Sequence, residues 1–154
     1  MLISTAPQGL GDSLQNRLLA PIVLSGLVHR VLRRRRLGTL FTRTLFGAHP
    51  DPDLVEFARR IMASAPRQTT IDAAKAVWRF DFRDRLDQVD LPTLVLCGAE
   101  DRSVKPEHAR TLADGIPQAS LQRFAGAGHL VILERALQIA GAVTQFAAGG
   151  PASA

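Results

Sequence analysis

Two acid-base side chains stand out in the sequence, and each follows a run of residues typical of a β-strand. His129 lies in "RFAGAGHLVILE" (123–134), on a glycine-rich turn between a strand pattern and a helix pattern. Asp101 lies in "CGAED" (97–101), three residues after another strand pattern. A carboxylate that accepts a hydrogen bond from one histidine ring nitrogen fixes the tautomer and stabilises the imidazolium formed during proton transfer. The pair therefore indicates general-base chemistry.

The order of the surrounding segments predicts that Asp101 and His129 meet in space. "PTLVLCG" (92–98) is a continuous apolar run, typical of a parallel strand buried on both faces, and the more polar "ASLQRF" (119–124) suits a sheet edge. Pro106 opens a helix between them, which makes a right-handed crossover between parallel strands. Since ligand chemistry in open α/β sheets collects at the carboxyl ends of the strands, we expect both residues at that edge.

Residues 11 to 90 have a different, helical pattern. Asp12 and Gln15 form a capping box, Gly47 is a terminator, and Asp51 followed by proline is an N-cap with its first turn. These signals predict helices from 11 to near the arginine run at 33–36, over 37–47 (with apolar positions 37, 40, 41, 45 and 46 on one face), over 51–64 and over 69–79.

The residues from about 91 to 147 resemble the carboxy-terminal part of an α/β-hydrolase. That family has "P-T-L-V-x-x-G-x-x-D", then a "G-x-G-H" turn and a helix with an early glutamate, which correspond here to "PTLVLCGAED", "GAGH" and Glu134. The resemblance implies that Asp101 is the triad acid and His129 the triad histidine. Ala136 departs from the pattern, because many relatives have proline there, and we expect only a local effect on a single final helix, whose apolar spacing runs from Ile132 to Phe146.

The resemblance also implies the fold class and the domain organisation. The helical stretch is similar to the cap that the family inserts between its sixth and seventh strands, and "LISTAP" is similar to that sixth strand. The expected class is α/β: a partial α/β-hydrolase fold with a short parallel sheet of about three strands. The expected divisions are a core strand and turn (1–10), a helical cap (11–90), the carboxy-terminal core (91–148) and a disordered tail (149–154).

A nucleophile for His129 is the missing part of this pattern. Family members place it on a "G-x-S-x-G" turn before the strand that "LIST" resembles. No serine in the 154 residues has glycines on both sides at that spacing, and "VLSGL" around Ser25 has glycine only after the serine. We therefore expect the chain to begin just downstream of its own active-site serine.

Three side chains within the chain are weaker candidates for a nucleophile. Ser13 lies in "GDSL", which is the nucleophile block of another hydrolase family, but no matching "D-x-x-H" exists near His129, so helix capping is favoured. Cys97 lies about 13 Å back along an extended strand from Asp101, which favours a buried core residue. Ser103 lies in the loop that enters a helix, where capping is the common role.

The composition limits the kinds of partner and the cellular location that we expect for this protein. Arginine supplies almost all of the +5 net charge, and the "RRRR" run has no interleaved aromatic residues, so it predicts a solvated helix C-terminus and not a nucleic-acid surface. The apolar window 18–28 contains Pro21 and is shorter than the ~20 residues of a membrane span. A single cysteine suits a reducing compartment, so we expect a cytoplasmic location with no membrane partner.

We expect neither a metal nor a cofactor. His29, His49 and His108 lack the spacing of metal ligands, and the one cysteine is alone. Gly126 and Gly128 are not followed by the rest of a phosphate-binding motif.

Two classes of function remain open. The first is the carboxy-terminal part of an α/β-hydrolase that acts on a small ester, amide or lactone by Ser-His-Asp chemistry, with Asp101 orienting His129. The second is a non-catalytic remnant or interaction module of the same fold. In both, the "LIST" strand would have an unpaired edge, so we expect self-association or pairing with a nucleophile-bearing amino-terminal half.

Overall fold

The structure, a computed structural model, describes residues 1–9, 21, 25–78 and 80–149. They form two compact units. The sheet unit contains Met1–Pro7, Leu45–Pro50 and the residues from Phe82 on, and the helical unit contains the described parts of Gln8–Thr44 and Asp51–Asp81. Residues 45–50, which we call the 45–50 segment, and residues 82–90 therefore pack with the sheet, although the sequence predicted a cap over all of 11–90. All of the predicted tail except Gly149 lies outside the described residues.

The helical unit has helices α1 (Leu27–Arg33), α2 (Arg35–Arg43), α3 (Pro52–Ser64) and α4 (Arg67–Ala76). The predicted start of α3 is confirmed, because the Asp51 carboxylate accepts a hydrogen bond from the Asp53 N–H at 2.8 Å. The predicted helix over 37–47 is wrong at its end: α2 stops at Arg43, and Leu45 and Phe46 lie outside any helix. The predicted capping box at Asp12 lies outside the described residues.

The arginine run spans the junction between α1 and α2. All four arginines are exposed, as expected for solvated side chains. Arg34 has an extended backbone (φ −86°, ψ 108°), so only Arg33 ends a helix, and Arg35 and Arg36 begin the next one. The predicted helix end is thus found at Arg33, but the run continues past it, because Arg35 and Arg36 belong to the next helix.

One buried arginine ties three helices of this unit together. Arg59 on α3 donates from Nε and Nη2 to the Glu56 carboxylate, at 2.8 and 2.7 Å, and from Nη1 to the Leu32 carbonyl of α1 at 2.9 Å. Thr39 on α2 donates its hydroxyl to the same carboxylate at 3.3 Å. The hydrogen bond from Arg59 lowers the pKa of Glu56 to about 2.

The sheet unit is built on a three-stranded parallel sheet in the order β1 (Leu2–Ile3), β2 (Thr93–Gly98) and β3 (Ala119–Phe124). Every residue of β2 is buried, whereas β3 is an edge strand with mostly half-buried residues. The register pairs Ile3 with Leu96 and Gly98 with Phe124. The predicted fold class and the short parallel sheet are confirmed.

Helices pack on both faces of this sheet. They are a 3₁₀ helix (Arg83–Gln88), α5 (Pro106–Gly115), α6 (Val131–Glu134) and α7 (Ala136–Ala147). The predicted single final helix is divided, since Arg135 (φ −131°, ψ 34°) separates α6 from α7. None of the described helices combines the length and apolarity that crossing a membrane requires. One apolar cluster contains Leu94, Leu96, Phe124, Ala127, Val131, Ile139 and Ala142, and the other contains Leu86, Val95, Cys97, Ala109, Leu112 and Ile116.

We predict that Gly98→Ala destabilises the sheet unit by about 1 to 3 kcal/mol. A Cβ at position 98 would overlap the backbone carbonyl oxygens of Ala127 and Gly128, which cannot yield as a flexible side chain can. Urea unfolding of the purified protein measures the change. Gly141→Ala is the matched control, because a Cβ there meets nothing within 4 Å and alanine should stabilise helix α7 by up to about 1 kcal/mol. Equal stabilities of the two variants would contradict this packing.

Candidate active site

The two predicted acid-base residues follow strands that end at the same level of the sheet. Gly98 is the last residue of β2 and pairs in register with Phe124, the last residue of β3. Two backbone hydrogen bonds then continue the pairing into the loops, from Ala99 N to Phe124 O and from Glu100 N to Ala127 O, both at 2.9 Å. The loops that carry Asp101 and His129 therefore leave the sheet joined to each other.

Asp101 and His129 form the hydrogen bond that the sequence predicted. The distance between Asp101 Oδ2 and His129 Nδ1 is 2.9 Å. Because an ionised carboxylate can only accept, we assign the proton to Nδ1, which leaves Nε2 as the proton acceptor. The side chain of Asp101 is fully buried and that of His129 is 29% exposed, so the histidine is the member of the pair that another molecule can reach.

The second oxygen of Asp101 fixes the carboxylate. Oδ1 accepts hydrogen bonds from the backbone N–H groups of Ser103 and Val104, each at 2.8 Å. A buried carboxylate needs such partners, because the loss of water is otherwise costly. With Oδ1 bound to its own loop, Oδ2 is held toward the imidazole.

Close backbone contacts position the turn before His129. Gly126 has φ +68°, a left-handed conformation that favours glycine. Gly128 is buried, and a Cβ there would overlap the backbone of Phe46 and lie 2.7 Å from Gly47 N. The two glycines of "GAGH" therefore have different roles, since one permits the turn and the other permits the 45–50 segment to approach.

Two glutamates hold the 45–50 segment against both loops. Glu134 accepts from Gly47 N at Oε1 (2.9 Å) and from Gly128 N at Oε2 (2.7 Å). Glu100 Oε2 accepts from Ala48 N at 2.7 Å. In addition, Leu130 N donates to Leu45 O at 3.1 Å. The 45–50 segment is thus bonded to Gly128 through Glu134, directly to Leu130, and to Glu100, the residue before Asp101.

The other candidate nucleophiles do not join the pair. Cys97 is a buried residue of β2, as predicted, and burial raises the pKa of its thiol. The predicted capping role of Ser103 is wrong, because Lys105 is the N-cap of α5 and the Ser103 backbone binds Asp101. Ser13 lies outside the described residues.

The remaining histidines belong to other elements. His29 is on α1 of the helical unit, His49 is in the 45–50 segment and His108 is on α5. Among the described residues, no three His, Cys, Asp or Glu side chains are grouped as metal ligands would be.

Sequence reasoning missed the part that the 45–50 segment and Glu100 play here. The apolar spacing of Leu45 and Phe46 continued a helical pattern, and no local signal marks Glu100 as an acceptor for a residue 52 positions away. Glu134 was noted only as part of a family pattern. Its carboxylate reaches a donor 87 positions away, which sequence spacing does not report.

We predict that Asp101→Asn keeps the fold but reverses the tautomer of His129. The asparagine oxygen should stay on the Ser103 and Val104 N–H groups, so that its NH₂ group faces Nδ1 and forces Nδ1 to accept. The ¹⁵N shifts of labelled histidine report the change. Asp114→Asn, an exposed aspartate on α5, is the control. An unchanged tautomer in Asp101→Asn would contradict the assignment.

Comparison with known proteins places this chain in a family. A family model described as the alpha/beta hydrolase fold matches residues 28–136. The chain is 35% identical over 139 residues to polyketide synthase ThaQ of Burkholderia thailandensis, which covers 84% of the chain and 7% of the synthase. It is 31% identical over 104 residues to the AB hydrolase superfamily protein YisY of Bacillus subtilis, which covers 68% of the chain and 39% of YisY.

A solved structure has a similar fold. The chain is similar to a thermophilic esterase from Thermogutta terrifontis, with a TM-score of 0.78 and 25% identity, over 96% of the chain and 54% of the esterase. The chain thus spans well under two thirds of these relatives. The family match covers more than half of the chain, and its sheet and the loops that carry Asp101 and His129 have the predicted form, so the chain belongs to the α/β-hydrolase fold family.

Proposed function

We propose that these residues form the acid-base part of a hydrolase that cleaves a small ester, amide or lactone. The observation that carries the proposal is the 2.9 Å hydrogen bond between the buried Asp101 carboxylate and the partly exposed His129 ring. Asp101 orients the imidazole and stabilises its protonated form, and His129 is the general base. The similarity to an esterase supports the class of substrate.

In the proposed reaction, His129 Nε2 takes the proton of a serine hydroxyl as the serine oxygen bonds to the substrate carbonyl carbon. The imidazolium then gives that proton to the leaving group as the old bond breaks. Water repeats both steps on the acyl-enzyme and releases the acid. Since no serine among the 154 residues has flanking glycines at the "G-x-S-x-G" spacing, the serine is proposed to come from outside them.

The same absence favours a second candidate for these 154 residues by themselves, a non-catalytic module of the fold. In that case the Asp101 and His129 pair would be retained as a structural hydrogen bond. The two candidates differ in whether His129 contributes to turnover once a nucleophile is supplied.

We also propose that the free edge of β1 pairs with another strand. β1 pairs only with β2 in the described sheet, and Met1 is 59% exposed. An apolar groove of about 280 Å³ lies beside β1, and Leu2, Pro7, Phe82, Leu86 and Leu112 are among its lining residues. At the end of β1 the buried Ser4 hydroxyl has no partner among the described residues, and Ser4 has a strained φ of 44°. A further strand from the nucleophile-bearing part, or from a second copy, would cover this edge.

We predict that the 154-residue chain alone hydrolyses p-nitrophenyl butyrate no faster than its Asp101→Ala, His129→Ala double variant, because a general base without a positioned nucleophile loses most of the rate enhancement. Combined with the "G-x-S-x-G" half of a family member, the chain should hydrolyse the ester, and His129→Ala should lower kcat at least about 1,000-fold. Stopped-flow or plate assays of nitrophenolate release measure both.

His108→Ala, which removes an imidazole from α5, is the control and should leave kcat unchanged. Turnover in the combined protein that survives His129→Ala would refute the proposed role of His129. Turnover by the chain alone that Ser13→Ala abolishes would place the nucleophile in "GDSL".

We predict that the isolated chain self-associates through β1 and that Ile3→Pro weakens this association. Ser4 N donates to Leu96 O on β2, so by strand alternation the Ile3 N–H points to the free edge, where proline removes it. Ile3→Ala shortens the same side chain and keeps the N–H, which makes it the matched control. Size-exclusion chromatography with light scattering at tens of micromolar decides the point. A monomeric wild-type chain would show that the edge recruits no strand.

A further inference from the structure

We infer that Glu134 is a positioning residue for His129. Its carboxylate binds the backbone of Gly128 and the backbone of the 45–50 segment where the two are in contact, and this holds His129 in line with Asp101. Its carboxylate bridges Gly128 N, at 2.7 Å, and Gly47 N, at 2.9 Å. The inference deepens the proposed function, because it names what keeps the proposed general base in place. It concerns the geometry of His129 and does not require that the chain be active.

One charged group satisfies two backbone donors from distant parts of the chain. Hydrogen bonds to an ionised carboxylate are about twice as strong as neutral ones. Gly128 is buried and Gly47 is half-buried. Removal of the Glu134 carboxylate would take the acceptor from both N–H groups, and the loss would be costly at the buried Gly128.

Gly128 is also closely packed against main-chain atoms on two sides, so its bond to Glu134 acts at a residue with little room to move. On one side, a Cβ on Gly98 would overlap its carbonyl oxygen, and on the other side its own Cα adjoins the backbone of Phe46 and Gly47. His129 is the next residue, so the position of Gly128 sets that of the ring. Because hydrogen bonds weaken steeply beyond about 3.2 Å, a shift of Gly128 by about 1 Å would break the 2.9 Å bond to Asp101.

Glu134 is itself anchored. It ends α6, whose first residue, Val131, is fully buried in the apolar core. Glu134 N donates to Leu130 O at 3.2 Å, and Arg135 Nη1 donates to Glu134 O at 3.0 Å. The seven residues from Gly128 to Glu134 thus close on themselves through the carboxylate, with His129 inside the closed loop.

The 45–50 segment extends this effect along the chain. It connects α2 to α3, and its Ala48 N is bound separately by Glu100, the residue before Asp101. Glu134 therefore joins the loop that carries His129 (the histidine loop) to the 45–50 segment, and the loop that carries Asp101 binds the same segment through Glu100. Loss of Glu134 should loosen the histidine loop at Gly128, while the bonds from Leu130 N to Leu45 O and from Ala48 N to Glu100 remain.

The test compares Glu134→Ala and Glu134→Gln with Glu107→Gln in the full 154-residue chain. Glu107 is an exposed glutamate on α5 whose side chain makes no hydrogen bond among the described residues, so it controls for the loss of one charge. Amide hydrogen exchange at Gly47 and Gly128 measures the two bonds. The ¹⁵N and Nδ1–H resonances of His129 measure its bond to Asp101, and their loss in Asp101→Asn identifies them.

In Glu134→Ala we expect exchange at Gly47 and Gly128 to quicken about tenfold or more, with loss of the His129 Nδ1–H resonance. Glu134→Gln keeps one acceptor oxygen, so one of the two amides should quicken and the resonance should weaken, while Glu107→Gln should change neither. If Glu134→Ala does not fold, Glu134→Gln decides the question. An intact His129 resonance in a folded Glu134 variant would overturn the inference and leave Glu134 as a structural cap.

These outcomes are separate from those of the proposed function. If His129 responds as expected but the chain combined with a nucleophile-bearing half has no His129-dependent turnover, the proposed function fails and the positioning role stands. If His129-dependent turnover is found and the His129 resonance does not change in the Glu134 variants, the positioning role fails and the proposed function stands. In an active preparation, a positioning role further predicts that Glu134→Gln lowers kcat with little change in KM.

Discussion

A fully buried carboxylate is the constraint to which the rest of this site is fitted. Asp101 has no exposed side-chain surface, and three donors surround it: the Ser103 and Val104 N–H groups on Oδ1 and the His129 ring on Oδ2. A buried charge that lacks any of these would be costly, so the loop that supplies the two N–H groups and the loop that supplies the ring must both be in place. The sheet meets this need by ending β2 and β3 at the same level.

Backbone contacts give the loops their precision. Gly98, Gly128 and Gly47 lie where an added Cβ would overlap a neighbouring main chain, so three segments that are far apart in sequence touch without side chains between them. Contacts of this kind leave little freedom, because main-chain atoms cannot rotate away as side chains do. The glutamates at 100 and 134 then satisfy the N–H groups that this close packing would otherwise leave without partners.

The helical unit is held by a different device. Arg59 and Glu56 form a two-pronged ion pair on one helix, and further hydrogen bonds carry it to the Leu32 carbonyl and the Thr39 hydroxyl. This network adds to the burial of Leu32, Val55, Ala58 and Ile71 in the same unit. In the part of the chain that the structure describes, the side chains of the exposed arginines at 33–36 make no hydrogen bonds to that network.

The sequence by itself determined β2, β3, α5 and the meeting of Asp101 with His129, because strand and helix periodicity are local and parallel strands with one crossover have little choice of arrangement. Only the tertiary structure decided the conformation of the 45–50 segment and the residues that it contacts. The sequence placed Leu45 and Phe46 on one face of a helix, but neither residue is helical, and Phe46 is 3% exposed. Periodicity indicates that a residue is buried, but it does not indicate which residues it contacts. The hydrogen-bond partners of this segment, Glu100 and Glu134, lie 52 and 87 positions away in the sequence.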